Sequence, residues 1–508
     1  MTAPTGLAAL NERVRRDLET TGNSPRWWVP QTPGTDYEVL IVGGGHAGLS
    51  AAFALQRERI PRVLVVDRNP RTQAGPWRSY ARMHTLRSPK WMRGIELDVP
   101  SLSVRSWFEA KYGAQAWESI TFVPRLDWAE YLDWYREVAD LPVQCDTEVT
   151  GVHRPTDPDG PFTVDLATDG RTETVTARRV IFAPGLDGAG ATSVPDFVSA
   201  LPRELWAHSA DDIDFGALAG KSVGVLGAGA SGWDNAACAL EAGAADVTVF
   251  ARRESVPTQN PLRWMEFAGF QNHFYDWSDE QKFAFTMYSG GLPQPPTQLG
   301  VWRCRDFDNF TLELGAPFTA VEALPDGRLR ITTPKGTHDV DFLVAATGYV
   351  TDLRRRPELA EFVDDIALWE DRHAPAKGTG VGPCPYLGGG FEFTPKDEAA
   401  APWISRLFHL SVGARASMGV AGHQLSGITA GLGRLASTIS RGAFLEHADE
   451  FVADFRRFES TEVHTFDRYD PSRDAVRPDT ASHATEADVA RSAADDHPAS
   501  LLTEGTVR

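Results

Sequence analysis

Cysteine is scarce in this chain and never paired along it. Cys145, Cys238, Cys304 and Cys384 lie far apart among 508 residues. There is no C-x-x-C and no zinc-type spacing, so neither a neighbouring dithiol nor a cysteine-built metal site is expected. Isolated thiols read as small buried residues of a reduced, cytoplasmic protein. Long apolar runs are missing too, and none reaches the roughly 20 residues of a membrane helix. Arg13, Arg15 and Arg16 are followed by no apolar stretch, so no secretory signal is expected. Positive charge is in deficit: 50 Lys and Arg face 69 Asp and Glu, a net −19. Nucleic acid and anionic membrane repel such a chain, leaving small molecules as the expected partners.

What the chain does have is glycine in two patterned places. An apolar run from Tyr37 to Val42 leads into Gly43, Gly45 and Gly48. A second, from Ser222 to Leu226, leads into Gly227, Gly229 and Gly232, with Ser231 between the last two. Each reads as strand, tight turn and helix. The first glycine makes the bend, the second lets backbone approach a pyrophosphate, and the third lets helix pack on strand. The helix N-terminus then offers free N–H groups to phosphate. Two such turns mean two bound dinucleotides. The simplest pair is a flavin and a nicotinamide, hence an enzyme that moves electrons.

The strands after the two turns differ at their ends. The first apolar run ends in Asp67, about where a ribose-binding acid belongs; a helix cap or solvated strand end is the alternative. The second, Asp246 to Phe250, is followed by Arg252 and Arg253. Guanidinium forks suit a 2′-phosphate, which points to NADPH over NADH. The fold class is α/β: two Rossmann-like dinucleotide-binding domains, the NADPH domain inserted in the FAD domain.

The order along the chain follows. Residues 1–35 form an arm with Leu7, Leu10, Val14 and Leu18 on one helical face, read as packing on the main body or as an oligomer contact. Residues 36–190 carry the first part of the FAD domain, with short antiparallel strands over 143–183 that include Val149. Residues 191–335 are the NADPH domain with an aromatic-rich block that could cap a substrate. Residues 336–458 return to the FAD domain. From 459 to 508 apolar residues thin out, and a disordered tail is expected.

Four further patches lie in a fixed order around these turns: Gly75-Pro76-Trp77, Thr85 to Lys90, His208-Ser209, and Ala346-Thr347-Gly348-Tyr349. Together with the turns they resemble the single-component, NADPH-dependent flavoprotein monooxygenases. That group includes flavin-containing monooxygenases, lysine/ornithine-type N-hydroxylases and Baeyer–Villiger enzymes. The resemblance covers 36 to about 450. It implies hydride transfer from NADPH to FAD, then reaction with dioxygen to a C4a-(hydro)peroxyflavin that passes one oxygen atom to a small organic substrate. The Baeyer–Villiger fingerprint is broken: Phe197 precedes His208 at the wrong spacing, its glycine is missing, Ser209 follows, and Asp212 stands where an aromatic belongs. Oxygenation at nitrogen or sulfur is therefore the leading expectation. Ester formation, or a simple NAD(P)H oxidase or redox sensor, are the alternatives.

The resemblance also names the site. Arg87, His208 and Arg252 are the catalytic candidates. The expected cofactor contacts are Gly43, Gly45, Gly48, Asp67, Trp77, Val149, Gly227, Gly229, Ser231, Gly232, Arg252, Arg253, Thr347, Gly348 and Gln424. Gln424 is expected to open an apolar helix through Leu425, Ile428, Leu432, Leu435 and Ile439, whose N-terminus would face the flavin; a plain packing helix is the alternative.

Overall fold

The computed structural model describes residues 6–22, 26–186, 188–422 and 424–460. The tail read from 459 onward lies, beyond residue 460, outside the described residues.

Two sheets organise the chain, the first mixed and the second parallel. In the first, Tyr37–Val42 lies between Val63–Val66 and Arg171–Phe182, with Ile41 opposite both Val65 and Ile181. Both faces are covered along residues 39–41, 64–66 and 180–182, which is why these stretches are apolar; Val39, Leu40 and Ile41 have no exposed surface. The helix His46–Arg57 packs on the late helix Ile428–Glu446. The strand Arg171–Phe182 pairs antiparallel with Phe162–Thr168 along one stretch and parallel with Leu407–His409 at its end. Asp169 and Gly170 join the antiparallel pair with φ of 49° and 75°, the two positive values that a tight hairpin turn needs. Phe162–Thr168 in turn pairs with Thr147–His153, as the alternation over 143–183 implied.

The second sheet is parallel throughout: Trp206–His208, Phe342–Ala345, Ser222–Leu226, Asp246–Phe250 and Phe310–Glu313, in that order. A small antiparallel sheet, Ala320–Ala323 with Leu329–Thr333 and Gly336–Val340, is inserted before its last strand in sequence. Phe342–Ala345 sits inside the second sheet, so this unit runs to Ala345 and not to 335. The chain crosses between units twice. Gly190–Thr192 and Tyr349–Thr351 pair antiparallel, tying the outgoing and returning segments together.

Three peripheral segments pack or turn as follows. The N-terminal helix Leu7–Thr21 buries Leu10 and Val14 on the main body, with Leu7 and Leu18 packed against the same core. In the aromatic block, Phe270, Phe274, Trp277 and Phe285 pack on one another and on Val420. The late helix starts at Ile428, not at Gln424. Gln424 instead makes a turn, its carbonyl accepting the N–H groups of Gly427 and Ile428.

One charged cluster sits where apolar side chains dominate. Arg179 is 2% exposed and pairs with Glu38, 1% exposed, on the neighbouring first strand. Its other arm reaches Glu446 at 2.5 Å, and Arg178 holds the second Glu446 oxygen at 3.0 Å. Burial alone would raise the Glu446 pKa, but Arg179 and Arg178 outweigh it and hold the carboxyl below its ordinary value. Removing one partner of a buried pair strands the other charge, at a cost of about 3–5 kcal/mol. Arg179→Met is therefore expected to lower unfolding free energy by about that amount in chemical denaturation. The Glu38→Gln/Arg179→Met double variant should recover part of it. A loss under about 1 kcal/mol would mean that Arg62, 3.7 Å from Glu38, suffices as its partner.

Candidate active site

A cavity of about 670 Å³ opens at the carboxyl ends of the first sheet's parallel strands, where open α/β sheets place ligands. The first glycine turn forms part of its wall. Gly43 has φ +107°, and any side chain there would strike the Ala183 carbonyl; one on Gly48 would strike the Gly43 carbonyl. Gly45 is different. A Cβ there would meet only the Gly75 Cα at 3.8 Å. No protein atom demands this glycine, so the space above it fits a pyrophosphate.

The second turn repeats the pattern. Gly227, φ +108°, faces the Ala346 carbonyl, a side chain on Gly232 would strike the Gly227 carbonyl, and a Cβ on Gly229 would have nothing within 4 Å. Gly229, Arg252 and Arg253 line a separate recess, closed on another side by Gly290 and Gly291. Arg253 Nη1 is buried there without a hydrogen-bond partner. A phosphate would supply that acceptor. Ser231 sits in the first turn of the helix Ala230–Glu241, its side chain exposed.

Asp67, Trp77 and Val149 all line the large cavity. Asp67 accepts the Gly44 N–H at 2.6 Å and the Asn69 N–H at 2.7 Å. It therefore stiffens the glycine turn while its remaining lone pairs stay available to a ribose. Trp77 Nε1 is buried without a partner, a donor that a cofactor oxygen could satisfy. Gln424 and Leu425 reach the wall through the turn described above. His423 lies outside the described residues.

The three catalytic candidates are not brought together. Arg87, on Thr85–Pro89, lines the cavity and donates to the Pro295 carbonyl at 2.9 Å; burial lowers its pKa. Arg252 lines the second recess. His208 enters neither wall. Its Nδ1 accepts the Ala210 N–H at 3.1 Å, which leaves Nε2 as the protonated nitrogen, donating to the Gly348 carbonyl at 3.1 Å. Burial lowers its pKa, so the neutral form is favoured. This is a clamp on the crossing segment. Thr347 and Gly348 belong to the same crossing: Thr347 Oγ1 donates to the Ser193 carbonyl, and the Gly348 carbonyl also accepts the Ser193 N–H at 2.8 Å.

Some cavity residues escaped the sequence reading. Arg263 and Glu266, on the edge of the aromatic block, pair at 2.9 and 3.1 Å, and Arg263 donates to the Arg87 carbonyl at 2.9 Å. Ser411 lies 2.8 Å from Nε2 of His409. His409 is fully buried, and burial, then Arg356, push its pKa down to about 3. A polar residue just past a buried strand end was the available signal for Ser411. All four cysteines are free thiols and none lines the cavity.

Residues 40–283 match the family described as pyridine nucleotide-disulphide oxidoreductase. An FAD-dependent urate hydroxylase of Xanthomonas campestris pv. campestris is 41% identical over 465 residues, covering 90% of this chain and 97% of that protein. Among solved structures, the ornithine N-hydroxylase of Kutzneria sp. 744 matches with a TM-score of 0.62 at 19% identity, over 80% of this chain and 99% of that one. The L-lysine 6-monooxygenase of Pseudomonas syringae gives a TM-score of 0.62 at 17% identity, with the same coverage. At such identity these two share the fold. The urate hydroxylase carries the relationship further, across nearly its whole length, and the chain belongs with it in the family of flavin-dependent hydroxylases.

Proposed function

We propose that this chain is an FAD- and NADPH-dependent monooxygenase whose substrate is urate or a close chemical relative. The 41% identity with a urate hydroxylase over 90% of the chain is the observation that carries the substrate class. The net reaction consumes one dioxygen, one NADPH and one proton; one oxygen atom enters the substrate and the other leaves as water. The flavin, when bound, supplies the electron transfer that activates dioxygen.

The chain's own residues do the rest. Gly45 leaves room for the FAD pyrophosphate, Asp67 offers its carboxylate to the ribose, and Trp77 Nε1 offers a donor along the cavity. Gly229 and Arg253 seat NADPH in the second recess, with Arg252 at its rim. The segment 261–266, fastened to Arg87, walls the cavity against water, which would otherwise divert reduced oxygen to peroxide. Urate has an electron-rich carbon–carbon double bond between ring nitrogens. An electrophilic oxygen attacks such a bond, so carbon joins nitrogen as a possible acceptor.

The holoenzyme should oxidise NADPH in a urate-dependent way, with label from isotopic dioxygen in the purine product and little peroxide. NADPH oxidation indifferent to urate, with stoichiometric peroxide, would exclude the substrate class. Product mass and NMR distinguish ring-carbon from ring-nitrogen oxygenation.

Two variants test the cofactor seats. Gly45→Val places its side chain in open space, so the fold should persist while flavin occupancy collapses. Full occupancy would remove the pyrophosphate from that turn. Arg252→Ala/Arg253→Ala should cut the preference for NADPH over NADH about ten- to a hundredfold, the worth of a charge-assisted contact to phosphate. An unchanged ratio would give these arginines another role.

A further inference from the structure

Among the described residues lining the large cavity, Arg87 is a cation with no carboxylate within ion-pair distance. Arg263 in the cavity wall is paired with Glu266, and Arg356 is paired with Glu358 at 2.6 Å. Arg68 follows Asp67 on the strand end that carries the proposed ribose contact. Arg87 differs from these. Among the described residues its side chain makes one hydrogen bond, to the Pro295 carbonyl, and has no carboxylate within ion-pair distance. A guanidinium carries five N–H donors, so most of its capacity is left to the cavity. The charged groups facing it are Asp234, from the helix Ala230–Glu241, and Arg263, from the aromatic block. Asp234 is itself 3.6 Å from Arg303, and Arg263 is a like charge.

A half-buried, unanswered cation is costly unless a ligand brings the missing charge. The phosphates of the two cofactors have their own seats at Gly45 and at Gly229 with Arg253. Arg87 contacts the aromatic block and not the glycine turn: its side chain bonds Pro295 and its carbonyl takes Arg263. We propose that Arg87 is the anion anchor of the substrate, its fork gripping the charged edge of a planar, singly ionised heterocycle such as the urate monoanion.

This inference deepens the reading above and rests on it for the identity of the heterocycle. The shape argument is independent of that identity. Urate at neutral pH spreads one negative charge over coplanar nitrogen and oxygen atoms. A guanidinium offers two parallel donors to such an edge, where a lysine offers one point charge. The Arg263 bond to the Arg87 backbone and the Pro295 bond to its side chain fix the fork before substrate arrives. Arg263 and Glu266 are thus positioning residues for Arg87.

The test is an equilibrium titration of the FAD-loaded enzyme, followed by flavin absorbance, with three probes: urate, the anionic triazine oxonate, and uncharged caffeine. Wild type, Arg87→Gln and Arg87→Lys are compared, each with flavin content and KM for NADPH measured. Arg87→Gln should weaken urate and oxonate about ten- to a hundredfold and leave caffeine binding equally weak in all three. Arg87→Lys should recover part of the loss, and the KM for urate should rise far more than kcat falls. Unchanged urate and oxonate affinity in Arg87→Gln overturns the anchor, as does an equal loss for caffeine, which would mark a lost shape and not a lost charge. If Arg87→Gln fails to hold flavin, Arg87→Lys decides: affinity equal to wild type for both anions would leave the fork without a role. Wild type that binds oxonate through Arg87 yet leaves urate unoxidised would keep the anchor and remove the urate reading. Urate oxidised with the same KM in all three would do the reverse.

Discussion

A helix can start directly over a strand end only if nothing projects between them. That steric rule is met twice in this chain, at Gly43 and Gly48 and again at Gly227 and Gly232. In each turn the first glycine is demanded by the neighbouring backbone, Ala183 in one case and Ala346 in the other, and the third by the carbonyl of the first. The middle glycine of each is demanded by nothing in the protein. The close approach aims the helix N–H groups, and the vacant middle position gives an anion access to them. Sheet order, cavity position and the separation of the two recesses all follow from where these turns lie.

The joint between the two units is built from backbone as much as from side chains. Gly190–Thr192 and Tyr349–Thr351 zip the crossings together, and His208 bonds the Gly348 carbonyl beside them. Buried arginines reinforce the joint. Arg82 donates to the carbonyls of Ser209 and Asp211 across it, and Arg303 donates to the Arg82 carbonyl while pairing with Glu241. These bonds hold the second recess in a set relation to the first, which matters for any transfer between two bound cofactors.

Much of this was legible in the sequence because the relevant constraints are local. A glycine turn is read from a dozen residues, and the antiparallel alternation over 143–183 needs only period two. The boundary after Ala345 was not legible. Phe342–Ala345 is apolar on both faces, and composition cannot say which of the two sheets receives such a strand. The late helix was placed early because Leu425 fits its apolar spacing, yet Leu425 faces the cavity and the backbone turns first. His208 looked like a site residue by its neighbours in sequence, but both ring nitrogens are spent on backbone. Arg263 and Glu266 could not be found from spacing, since what makes them part of the site is proximity to Arg87, a contact made across the fold.

The buried cluster of Glu38, Arg179 and Glu446 also bears on how the chain is born. Glu38 belongs to the first strand made, Arg179 follows 141 residues later, and Glu446 comes a further 267 after that. On the ribosome the opening strand emerges with a carboxylate whose local cation, Arg62, sits 3.7 Å away in the finished fold, while its buried partner Arg179 is still to come. The inserted second unit, whose sheet spans residues 206–345, has all its partners in hand first. The first unit therefore closes last, when the helix Ile428–Glu446 delivers Glu446. The insertion folds inside a host that is still waiting for its end, and until then the unpaired edge of that host is the segment a chaperone would have most reason to shield.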